Sequence, residues 1–103
     1  MKTSMHDDDL QSILKNFHEL IRLVSRGLSE EAKVSLPSQE DILASEQRAQ
    51  WLPIPGMYGG FNYALSADRK ILTVESWSRI VEGSGQRHVV TSSGSDLVAE
   101  GFV

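Results

Sequence analysis

Apolar residues recur through the first part of the chain at Leu10, Ile13, Leu14, Phe17, Leu20, Ile21, Val24 and Leu28. Steps of three and four residues put them on one stripe of a helix, so the pattern predicts an amphipathic helix that buries that stripe. Asp7, Asp8 and Asp9 stand where acids favour a helix start, behind a flexible leader of residues 1–6. Gly27, with Arg22 and Arg26 before it, supplies the stop. Ser29 to Lys33 reads as a further short helical turn, and Val34 to Pro37 as a linker. Ser38 followed by Asp41 has the form of a capping box, which predicts a second helix from about Gln39 to about Arg48. Its apolar side is thin: Ile42, Leu43, Ala44 and Ala49.

Residues 51–60 then break the helical period. Pro53 and Pro55 each lack an N–H and push the preceding residue toward extended geometry, while Gly56, Gly59 and Gly60 permit a turn and close backbone approach. This reads as a joint lined by aromatic residues. Trp51 and Phe61 are expected in the core; Tyr58 and Tyr63 are left open between core and the wall of a pocket.

Beyond the joint the period changes from 3.6 to 2. A strand is expected from about Gly60 to Leu65, a polar turn at Ser66–Arg69, and a long strand from Lys70 to about Val81. The Glu82–Gly85 stretch signals a hairpin, with a returning strand from Arg87 to Ser92. A turn at Ser93–Asp96 leads to a last strand from Leu97 to Val103. The expected architecture is α+β: a single domain with two N-terminal helices packed on a C-terminal four-stranded antiparallel β-meander.

Composition narrows the function classes. The 103 residues contain no cysteine, which removes disulfides, thiol chemistry and cysteine-held metals and suits a cytoplasmic setting. A net charge of −4 is spread over both halves, so neither carries the basic surplus that a nucleic-acid partner requires. The sequence shows no targeting segment and no apolar run of membrane-spanning length. It also lacks a nucleophile elbow, a phosphate-binding glycine loop and a zinc-binding helix motif, so no catalytic residue, metal site or cofactor is assigned.

The polar residues that invite a binding role lie on the hairpin. Along the long strand Glu75, Trp77 and Arg79 alternate away from Leu72, Val74 and Ile80. A loop of two or four residues would put Arg79 opposite His88 and Trp77 opposite Val90, gathering Glu75, Trp77, Arg79 and His88 on one sheet face. A three-residue loop would break the set. Such a group can bind an anionic or planar ligand; the plainer reading is a solvated face with cross-strand charge pairs.

In element order, a helix pair followed by a meander resembles the cone-shaped SnoaL-like (nuclear transport factor type) proteins. That resemblance implies a small-molecule pocket between helix and sheet. The residues themselves offer the matching alternative, a ligand-binding domain or minor enzyme that uses Glu75, Arg79 and His88 beside the aromatic joint, with His88 as acid–base candidate because an imidazole titrates near neutrality. In size, acidity and lack of cysteine the chain is also similar to small bacterial immunity proteins, which implies a protein partner. The preferred expectation is an interaction module, not an enzyme, that binds a protein partner or itself as a homodimer through a sheet edge or aromatic face.

Overall fold

The first helix, α1 (Ser4–Val24), presents Leu10, Ile13, Phe17, Leu20 and Ile21 to the interior, as the three-and-four spacing requires. In the computed structural model, which describes residues 4–25, 35–55, 59–78 and 85–101, α1 starts at Ser4. Residues 4–6, expected as part of a leader, are therefore helical. Gly27 and the short helical turn expected at Ser29–Lys33 lie outside the described residues.

The second helix, α2 (Gln39–Gln47), opens on the expected capping box. Ser38 Oγ accepts from the Asp41 amide, and Asp41 Oδ2 accepts from the Ser38 amide. Only Ile42 and Ser45 of α2 are buried. Ser45 makes the second anchor: its hydroxyl donates to the Ile42 carbonyl (2.6 Å) and accepts from the Leu65 amide (3.1 Å). That bond satisfies a buried strand-end N–H that would be costly to leave bare.

Five strands follow: β1 (Gln50–Pro53), β2 (Gly59–Leu65), β3 (Leu72–Ser78), β4 (Gly85–Thr91) and β5 (Gly94–Glu100). They form one antiparallel sheet in sequence order, β1 to β5. The expected four strands become five because the joint supplies one. Gln50–Pro53 pairs with β2, from Gln50 opposite Tyr63 to Pro53 opposite Gly60. Proline is tolerated there because β1 is an edge strand, where a missing N–H costs no ladder bond on the open side.

Alternation along β1 also corrects the placement of Trp51. Leu52 turns inward beside the core, so its neighbour Trp51 turns outward and is 53% exposed. Phe61 is fully buried, as expected.

Both helices pack on the same side of the sheet, α1 over β4 and β5, α2 over β1 and β2. Between them and the sheet, Phe61, Tyr63, Leu65, Leu72, Val74 and Val90 meet the apolar stripe of α1 and Ile42 of α2. Phe17 and Tyr63 stack edge to face with ring centroids 5.0 Å apart. Burial, and secondarily the Asp41 carboxylate, push Tyr63 up to about 12.

The course of α1 sets where the sheet is covered. Asp9 lines a cleft with Ile71 and Thr91, Asn16 Nδ2 donates to the Thr91 carbonyl (2.8 Å), and Glu19, Leu20, Arg22 and Leu23 line a groove with Ser95. The helix thus passes from the start of β3 across the end of β4 and finishes at β5.

Candidate functional site

The hairpin register decides which polar residues meet. Trp77 pairs with Gly85, Ser76 with Gln86, Glu75 with Arg87 and Val74 with His88. Gly85, expected in the turn, is a strand residue. The pairing that would have set Trp77 opposite Val90 does not form, and His88 lies on the face opposite Glu75 and Trp77. The physical reason is the buried face: this register brings Val90 against Leu72 and buries both. Arg79 and Tyr58 lie outside the described residues. Tyr63 belongs to the core face, away from Trp77.

His88 is consequently a core residue, 8% exposed, with Val74 and Leu97 as its cross-strand neighbours. Its Nε2 is buried without a hydrogen-bond partner, and burial holds the imidazole below its ordinary value of 6.5. Folding therefore retains the neutral ring while the unfolded chain takes up a proton near pH 6.5. Stability is full above that value and falls as the pH drops from 6.5 toward the lower folded-state value. The urea midpoint is expected to decline between pH 7.5 and 5.5, and His88→Leu to flatten that decline. Parallel pH profiles for the two proteins would remove His88 as the cause.

The helix-free face holds a row across all five strands: Trp51, Asn62, Glu75, Arg87 and Ala99. At its centre Arg87 clasps Glu75, with Nη2 at 2.8 Å and Nε at 3.1 Å from Oε2. Glu75 thus finds its cation on the neighbouring strand, at a residue the sequence reading passed over. Beside this row, Trp77 stands between two glycines, Gly60 on β2 and Gly85 on β4. The indole of Trp51 folds over Gly60 from the other side: a Cβ there would lie 2.7 Å from Trp51 Cζ2 and 2.4 Å from the Leu52 carbonyl oxygen. The Trp51 indole leans on glycine backbone, and the Glu75–Arg87 pair beside it is partly exposed.

The second notable surface is the β5 edge. β1, at the opposite edge, has four residues and ends in Pro53. β5 has seven, of which Leu97 and Val98 are 49% and 57% exposed. A register shift against Arg87 and His88 leaves Val98 out of the pairing with β4, a bulge that bends the edge locally. Where α1 reaches this edge, Glu19, Leu20, Arg22, Leu23 and Ser95 line a groove of about 530 Å3. Leu23 at its rim is 60% exposed.

Among the described residues no group of three or more His, Asp or Glu converges as a metal site requires. No helix there is long and apolar enough to cross a membrane. The chain matches no protein-family model, and neither the curated proteins nor the solved structures contain a match to it.

Proposed function

We propose that this chain is a non-enzymatic interaction module that receives a strand from a partner at β5. The observation that carries this reading is the asymmetry of the sheet. One edge is short and blunted by Pro53, while the other is long, carries exposed Leu97 and Val98, and lies beside the groove under the end of α1. An open edge offers unpaired N–H and C=O groups to an extended segment, and the adjoining groove, where Leu20 and Leu23 stand beside Glu19, Arg22 and Ser95, gives its side chains somewhere to go. The bulge at Val98 and the acids Asp96 and Glu100 make this edge selective, since both devices discourage indiscriminate pairing.

The alternative, a small-molecule pocket or minor enzyme between helix and sheet, draws less support. Among the described residues Phe17, Phe61 and Tyr63 pack into the layer between α1 and the sheet, and His88 lies on the sheet face opposite Glu75. A cytoplasmic setting belongs to the same proposal, and the cysteine-free composition suits it.

The test is hydrogen exchange on the full chain, alone and with strand peptides selected against it from a random displayed library. Slowed exchange confined to Gly94–Glu100 and the end of α1 is expected. Protection centred on the Trp51–Trp77 face, or on β1, would move the binding surface elsewhere and end the edge reading.

A further inference from the structure

The β5 edge has a charge character that narrows its partner. Positions 94–101 carry Asp96 and Glu100 and no Lys or Arg. Both acids are exposed, and they bracket the exposed aliphatic pair Leu97–Val98. The nearest base on the neighbouring strand, Arg87, sits opposite Ala99 and is clasped by Glu75. The groove is lined by one residue of each charge, Glu19 and Arg22. An incoming strand therefore meets an aliphatic centre with a carboxylate at either end along the edge, Asp96 opposite Val89 on the face turned from the helices and Glu100 opposite Gln86 on the helix face.

Resting on the edge reading above, we infer that the occupant of this edge is an extended segment of another protein bearing Lys or Arg on either side of an aliphatic or β-branched pair. Directly opposed unlike charges stabilise a cross-strand pair, and directly opposed like charges destabilise it. The aliphatic centre supplies apolar contact with Leu97, Val98 and, through the groove, Leu23, while the flanking bases select the partner and its register. A second copy of the chain is the poorer occupant, because its β5 brings two more carboxylates and no base.

The experiment uses the full chain as target for a displayed library of random twelve-residue peptides, with recovered peptides resynthesised and titrated by fluorescence anisotropy. Lys or Arg is expected to be enriched at two positions flanking an aliphatic pair. Binding should weaken about tenfold on Asp96→Lys with Glu100→Lys, the scale of two exposed charge pairs, and weaken also with added salt. Both replaced residues are exposed, so the fold is expected to persist, which circular dichroism checks. Leu97→Lys should abolish binding of every recovered peptide. Peptides that need Leu97 yet show no basic enrichment, or bind the charge-reversed variant equally well, would overturn the charge inference and leave the edge reading standing. Peptides indifferent to Leu97→Lys would overturn the edge reading itself. A dimer by light scattering that Leu97→Lys dissolves would make a second copy the occupant and overturn the inference by that route.

Discussion

Phe17→Ala is expected to cost about 3–5 kcal/mol, the range for removing a fully buried phenylalanine. Phe17 is 0% exposed, and its ring meets Tyr63 edge to face, so the truncation removes both buried area and an aromatic contact. Against a stability of roughly 5–15 kcal/mol for a small domain, this is a large share. Urea denaturation followed by circular dichroism measures it, with Phe17→Leu losing much less because it refills much of the volume. An alanine variant that unfolds at the parent's midpoint would mean that the α1 stripe does not hold the sheet.

Gly60→Ala is the second large effect, and its cause is backbone. The added methyl would stand 2.4 Å from the Leu52 carbonyl oxygen and 3.0 Å from Pro53 Cα, both main-chain atoms of β1. A side chain can rotate aside; a strand must shift. Overpacking of this kind costs about 1–3 kcal/mol, and β1 has only four residue pairs with which to resist it. The strand is expected to detach from β2, so that the Gln50–Leu52 amides exchange quickly and Trp51 emission moves to longer wavelength. Unchanged exchange at those amides would show that β1 accommodates the methyl in place.

What the sequence disclosed and what it withheld follow from the range of each signal. The α1 stripe and the Ser38–Asp41 box are local patterns, three or four residues in reach, and both appear in the structure where the spacing puts them. The fifth strand was hidden because Pro53 argues against a strand in general and permits one only at an edge, a property of the assembled sheet. The size of Trp51 argues for the core, whereas its direction depends on the alternation of the edge strand β1. The hairpin register was out of reach for a sharper reason. Val89 and Val90 are adjacent, so either parity buries one valine and exposes the other, and the local sequence is indifferent between them. With the parity went the candidate site: His88 entered the core, and Arg87 took the place beside Glu75. Ser45 shows the converse case, a polar residue on a thin helix that matters only because the Leu65 amide arrives beneath it.

The unequal ends of the sheet bear on how far any assembly can extend. Fibrils formed by edge pairing need two adhesive sides on each subunit, so that every addition presents a fresh template. Here an added strand at β5 uses the long edge, and the far side of the molecule offers four residues closed by Pro53. If β5 receives a strand as proposed, propagation would halt after one addition per molecule. On that reading the complexes would be of fixed size, and a substitution that lengthened β1 or replaced Pro53 would be the change that lets them polymerise.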